Sequence, residues 1–236
     1  MRKGILNWIK KQLRSAKAKG IVLGLSGGID SSVVAALAKG AVGKARVLGL
    51  FLPCHSHGQD LADAKLVAKQ LGIKTKLIDI SNIYDNLLKI LPPGNPLARA
   101  NLKPRLRMIV LYYFANKLNY LVSGTGNKSE LMIGYFTKHG DGATDILPIA
   151  GLLKKDVRKL AQELNIPQRI IDKAPTAGLW PEQTDEGEMG LTYTELDAIL
   201  EGLGKGNKLS GGKTEKVKKM IRRSEHKRQG PKICYV

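Results

Sequence analysis

Seven consecutive residues, Ser26-Gly27-Gly28-Ile29-Asp30-Ser31-Ser32, combine groups suited to phosphate and metal. Two adjacent glycines let a backbone turn tightly and approach a ligand with no Cβ in the way. The run lies between an apolar stretch, 21–26 (IVLGLS), and a helical pattern, 31–39 (SSVVAALAK). Unpaired N–H groups and the positive dipole end of that helix therefore face the ligand. Ser26, Ser31 and Ser32 add hydroxyl donors, and Asp30 offers a hard oxygen ligand for Mg²⁺. Such a loop suits a pyrophosphate with its magnesium. A tight turn with helix capping explains one or two of these residues, not all seven.

Three other patterns compete with this reading. Gly24-Leu25-Ser26-Gly27-Gly28 fits G-x-S-x-G, but a nucleophile elbow needs an oxyanion loop after an earlier strand, and only a helix lies upstream. Residues 207–214 (NKLSGGKT) nearly form a Walker A loop, yet Asn207 replaces its first glycine and no strand precedes it. Residues 124–129 (GTGNKS) resemble a dinucleotide fingerprint with Ser129 for the third glycine; between a strand and a helix, a phosphate-facing role is plausible but weak alone. His55 and His57 share a loop, but two histidines alone are more often solvated or locally bonded than metal ligands.

The elements that must position these groups alternate along the chain. Ile5, Trp8, Ile9 and Leu13 recur at helical spacing and predict an amphipathic helix over 4–19, ended by Gly20. Strands are expected at 21–26, 46–52, 76–80 and 120–124, with a short fifth at 145–150. Helices are expected at 31–39, 60–71, 82–91, 101–118 (Pro104 in its first turn), 155–164, 192–201 and 213–223, and a loop at 92–98. Repeated strand–helix units imply an α/β fold: a doubly wound parallel sheet of about five strands with helices on both faces. Ligands bind such folds outside the carboxyl ends of the strands, where the glycines and polar residues lie here. The reading is one domain, 1–236, with a core at about 20–165 and a covering loop and C-terminal helices at about 175–236.

Composition narrows the class. The 236 residues are 43% hydrophobic and 25% charged, ordinary for a globular protein, and no apolar run is long enough to cross a bilayer. Lys10, Lys11 and Arg14 stand where a signal peptide needs its apolar stretch, so a cytoplasmic protein with two free thiols, Cys54 and Cys234, is expected. The net charge of +19 first suggests nucleic acid. Sixteen of those charges sit in residues 1–19 and 205–236, and the body is nearly balanced. Basic ends can equally be solvated or serve a polyanionic small molecule.

The Ser26–Ser32 loop resembles the pyrophosphate loop of the N-type ATP pyrophosphatases, which cleave ATP between its α and β phosphates to adenylate a substrate. Residues 124–130 (GTGNKSE), 134–145 (GYFTKHGDGATD), 175–190 (PTAGLWPEQTDEGEMG) and His226-Lys227-Arg228 resemble segments of the ammonia-dependent NAD⁺ synthetases within that group. Regions 54–58 and 81–98 carry no motif.

The resemblance implies an adenine-nucleotide α-hydrolase-like fold. It also implies ATP contacts from Gly24, Leu25, Ser26, Gly27, Gly28, Ile29, Asp30, Ser31, Thr125, Lys154 and Thr176, and Mg²⁺ on Asp30 and Glu130. Deamido-NAD⁺ would meet Arg105, Lys138, Asp145, His226 and Lys227, with Asp30, Asp145 and Lys154 nearest the chemistry. It implies a homodimer with the dinucleotide at the subunit interface near Arg105. Glutamine-using members carry an upstream amidohydrolase domain, whereas one helix precedes the first strand here; direct use of ammonia is expected, a separate glutaminase being one possible supplier. The rival, a tRNA-modifying adenylating enzyme, shares the loop but needs a long cationic surface and gives the acidic 182–188 and GDGATD segments no role. A nucleotide-sensing domain on the same fold would not need Asp30 and Glu130.

Overall fold

The computed structural model describes every residue except 177, 179, 181, 182, 235 and 236. The chain opens with α1 (Arg2–Ser15), β1 (Gly20–Gly24), α2 (Ile29–Val42), β2 (Val47–Phe51), α3 (Gly58–Leu71) and β3 (Lys74–Leu77). It continues through α4 (Ser81–Ile90), α5 (Pro96–Ala100), α6 (Leu102–Leu118), β4 (Tyr120–Val122), α7 (Lys128–Ile133), α8 (Lys154–Glu163) and α9 (Gln168–Ile171). The last part holds α10 (Asp185–Met189), α11 (Tyr193–Gly204), α12 (Gly212–Arg223) and α13 (Glu225–Arg228).

The strands form one parallel sheet in the order β3-β2-β1-β4, with Ile21 opposite Val47, Leu48 opposite Lys74 and Gly20 opposite Tyr120. Strand alternation divides the core. Ile21, Leu23, Val47 and Phe51 face a cluster with α1, α2, α3, α8 and α9, whereas Val22, Leu48 and Leu50 face α6. That two-sided burial explains why β1 and β2 read as continuous apolar runs. A third cluster joins Ile133 and Leu153 to Met189, Tyr193, Leu196, Leu200 and Val217. The chain leaves β1 outward to β2 and β3, then returns on the other side of β1 as β4. The crevice between the carboxyl ends of β1 and β4 is therefore the topological switch point, where ligands of such sheets bind.

Among the described residues four strands form, against the expected five or so. The expected last strand is a single parallel bridge, Ser123 with Ile146, because the chain turns at Pro148, which has no N–H to donate, and Ala150 N closes a turn on Leu147 O. The first helix stops at Ser15, and Trp8, expected on its apolar face, is 40% exposed; Ile9 and Leu13 carry the packing. The expected loop at 92–98 ends in a short helix: Asn95 Oδ1 accepts from Ala98 N at 2.8 Å and Pro96 takes the first position. Both cysteines are free, Cys54 buried and Cys234 exposed. Among the described residues no helix is long and apolar enough to cross a membrane.

Candidate active site

Between β1 and the first turn of α2 the loop folds onto itself. Ser26 N donates to Ser31 Oγ at 3.3 Å, Gly28 N donates to Ser26 Oγ at 3.3 Å, and the Ser31 and Ser32 hydroxyls donate to Gly28 O at 3.1 and 2.7 Å. Gly27 has φ +81° and lies against Asp60 O of α3, where a Cβ would collide. Among the described residues no side chain caps α2, so the first-turn amides stay available to a ligand.

Opposite this loop, a capping box sets the second carboxylate. Asn127 Oδ1 accepts from Glu130 N at 3.1 Å while Glu130 Oε2 accepts from Asn127 N at 3.2 Å, so α7 begins with Glu130 aimed back toward α2. The fully buried Asn127 also donates from Nδ2 to Asp30 Oδ1 at 2.9 Å, tying the two walls together.

Lys154, the first residue of α8, completes the cluster. Its Nζ donates to Asp30 Oδ2 at 2.6 Å and to Glu130 Oε1 at 3.1 Å, and lies 4.7 Å from the centre of the Tyr193 ring. Burial works against this ammonium, but Asp30 and Glu130 outweigh it and hold its pKa above the usual lysine value. Burial likewise pushes the Glu130 carboxyl up, against the pull of Lys154.

Tyr193 Oη donates to Asp185 Oδ2 at 2.9 Å and lies 3.3 Å from Glu130 Oε1. Asp185 is buried, its carboxyl raised by burial, and its Oδ1 has no hydrogen-bond partner among the described residues. Ser129 Oγ receives Lys154 N at 3.0 Å and donates to Asp197 Oδ1 at 2.5 Å, while Asp197 Oδ2 accepts from Lys155 N at 2.8 Å. One carboxylate of α11 thus fixes the starts of both α7 and α8.

Asp30, Glu130, Lys154 and Asp185 line a cavity of about 660 Å³. Of the residues expected to form the site, Gly24, Leu25, Ser26, Gly28, Ile29, Asp30, Ser31, Thr125, Glu130, Lys154, Thr176 and Lys227 line it. Gly27 supports the loop from behind.

Arg105, Lys138, His226 and Asp145 do not line the cavity. Arg105 Nη2 donates to Lys138 O at 3.4 Å, and Lys138 Nζ donates to His226 O at 2.5 Å, forming an exposed strip. Asp145 is engaged elsewhere: Oδ2 accepts from Val122 N at 2.7 Å and Oδ1 from Tyr112 Oη at 3.1 Å. Lys227 Nζ donates to Gly134 O and Phe136 O, both at 2.7 Å. His55, one of the two loop histidines, is paired through Nε2 with Asp85 Oδ1 at 2.9 Å, joining the 54–58 loop to α4.

Sequence reasoning missed Asn127, Asp185 and Tyr193 as site residues, as well as Arg107 and Lys173, which also line the cavity. Asn127 stood inside a recognised segment and had an N-cap signal, three residues before a glutamate. Arg107 and Lys173 carried no local signal.

The family model for NAD synthase matches residues 1–231 of this chain. A curated NH(3)-dependent NAD(+) synthetase of Archaeoglobus fulgidus is 49% identical over 234 residues, covering 98% of this chain and 95% of that protein. One of Carboxydothermus hydrogenoformans is 47% identical, covering 97% and 94%. Among solved structures, an NMN synthetase from Francisella tularensis superposes with a TM-score of 0.93 at 39% identity, over 100% of this chain and 97% of that one. An NH3-dependent NAD synthetase from Campylobacter jejuni, in complex with the nitrate ion, gives a TM-score of 0.86 at 30% identity, over 99% and 97%.

Proposed function

The chain belongs to the NAD synthase family, and on that premise we propose that it amidates deamido-NAD⁺ with ammonia at the expense of ATP, giving NAD⁺, AMP and pyrophosphate. The observation that carries this reading is the convergence of Asp30, Glu130 and Lys154 opposite an uncapped phosphate loop in one cavity. The enzyme is a C–N bond-forming ligase, and the relatives it matches do not favour a tRNA-modifying role.

Asp30 and Glu130 would hold Mg²⁺. They fit it: one oxygen of each already meets at a single cation, Lys154 Nζ, and both are hard ligands. Two protein carboxylates, with phosphate oxygens and water filling the rest, is the usual way Mg²⁺ is held beside a nucleotide. When bound, the ion neutralises charge gathering on the pyrophosphate leaving group.

The chain's own groups do the rest. The amides of the 26–31 loop and the N-terminus of α2 bind the departing pyrophosphate and stabilise the charge it develops. Lys154 supplies a permanent positive charge that can turn from the two carboxylates to the reacting phosphate. The nicotinate carboxylate attacks the α-phosphorus, pyrophosphate leaves, and ammonia then displaces AMP from the acyl adenylate. No protein nucleophile is needed, so positioning dominates. Ammonia is the direct nitrogen donor, and a separate glutaminase is one source that would feed it.

The dinucleotide reading extends to assembly. Ile109 and Tyr113 of α6 are each 58% exposed and follow Arg105 at successive four-residue steps, so the three share one helix face. Tyr112, beside them, holds Asp145. In a homodimer packed on this face, Arg105, Lys138, Asp145 and His226 would lie along the interface and meet the half of the dinucleotide that the ATP cavity leaves outside.

The likeness to an NMN synthetase favours one alternative acceptor, nicotinate mononucleotide. Mass spectrometry of products after incubation with ATP, Mg²⁺, ammonia and each acceptor tests both. NAD⁺ and AMP from deamido-NAD⁺ are expected. Amidation of the mononucleotide alone would move the reading to that substrate, and neither product would end it.

A further inference from the structure

Four cations line the cavity: Arg107, Lys154, Lys173 and Lys227. Lys154 is held by Asp30 and Glu130. Lys173 Nζ is held by Asp60 at 2.6 Å and Asp63 at 2.8 Å. Lys227 spends its ammonium on Gly134 O and Phe136 O. Arg107 differs from all three. Among the described residues its one side-chain hydrogen bond runs from Nε to Leu52 O at 3.0 Å, just past the end of β2, and no carboxylate lies within ion-pair distance of it. Asp60 and Asp141 reach it only through the longer-range field, since Asp60 is bonded to Lys173 and Asp141 Oδ1 to Thr137 N.

A guanidinium anchored at Nε presents its two terminal NH₂ groups as a planar fork, which matches a pair of phosphate or carboxylate oxygens. Holding such a charge in a recess without a counter-ion costs stability that an anionic ligand restores. The cavity is also where the proposed reaction brings its polyphosphates together. We propose that Arg107 is a phosphate-binding residue, its terminal amino groups taking two oxygens of the nucleotide bound in the cavity, either ATP or the dinucleotide. This rests on the function proposed above for the identity of the nucleotide, but not for the anion site itself.

Isothermal titration of the full-length protein tests it, comparing wild type with Arg107→Gln and Arg107→Lys. The probes are α,β-methylene-ATP, deamido-NAD⁺ and inorganic tripolyphosphate. Arg107→Gln is expected to weaken at least one nucleotide by about 10- to 100-fold, as loss of charge-assisted hydrogen bonds does. Arg107→Lys should recover only part of that, because a point charge replaces a fork. The nucleotide that loses affinity identifies the phosphate. Thermal melts separate ligand binding from a structural role: the free Gln variant should melt no lower than wild type, while its ligand-induced rise shrinks. Unchanged affinity for all three probes, or a lower melting point of the free variant with affinity kept, overturns the inference. Wild type that binds tripolyphosphate through Arg107 but neither nucleotide would sink the proposed function and leave the anion site standing.

Discussion

Lys154 stands where a divalent ion would have to sit, between Asp30 Oδ2 and Glu130 Oε1. An ammonium and Mg²⁺ cannot share that gap, so metal is expected to enter with the nucleotide, as Lys154 moves to phosphate. Lys154→Met should therefore bind Mn²⁺ in the absence of nucleotide, seen by electron paramagnetic resonance, where wild type binds far less; equal weak binding by both would contradict this. Asp30→Asn removes charge beside the leaving group, and turnover is expected to fall at least about a hundredfold with the fold intact by circular dichroism. Near-normal AMP formation would remove Asp30 from the metal site. At this scale the sequence was legible where chemistry is contiguous: the Ser26–Ser32 run announced itself. Asp185 and Tyr193 were not legible, because Tyr193 reaches Glu130, and holds Asp185 beside it, only after the chain has folded back from a distant segment. Part of that segment, residues 177, 179, 181 and 182, lies outside the described residues.

The elements were read well where burial is two-sided or a cap is present. The apolar runs of β1 and β2 and the glycine-capped end of α3 needed no tertiary information. The bridge at Ile146 could not be foreseen, since Asp145 spends its carboxylate on Val122 N and Pro148 ends the pairing. Helix α6 is apolar around much of its circumference, with Val110, Leu111 and Phe114 against the sheet and Ile109 and Tyr113 open. One chain can cover only one side of such a helix. Ile109→Asp is expected to give a monomer in sedimentation at micromolar concentration, while wild type sediments as a dimer, and to weaken deamido-NAD⁺ more than ATP. A wild-type monomer that makes NAD⁺ would refute the dimer.

Over the whole molecule, the +19 charge says less than its placement. Two residues of the basic C-terminal segment are structural: Arg228 donates to Leu131 O, Met132 O and Ile221 O, and Lys227 clamps the 134–136 turn. Gly134, at φ +73°, lies so close to Ser224 that a side chain there would collide with it. Composition could not separate such lysines and arginines from a solvated tail. Asp197 ties α11 to the starts of α7 and α8. Asp197→Ala leaves Ser129 Oγ and Lys155 N without their acceptor and is expected to cost roughly 2–4 kcal/mol in chemical denaturation. A loss under about 0.5 kcal/mol, typical of an inert surface change, would show that α7 and α8 hold their positions unaided.

The same tie sets a timetable for biosynthesis. Asp30, Glu130 and Lys154 all leave the ribosome before Asp197 does, and at ordinary translation speed the last gap, about forty residues, takes roughly 2–9 s. During that interval the starts of α7 and α8 lack the carboxylate that braces them. A nascent chain therefore holds Asp30, Glu130 and Lys154 but not the frame that aligns them, and a product that stops short of α11 is expected to consume no ATP.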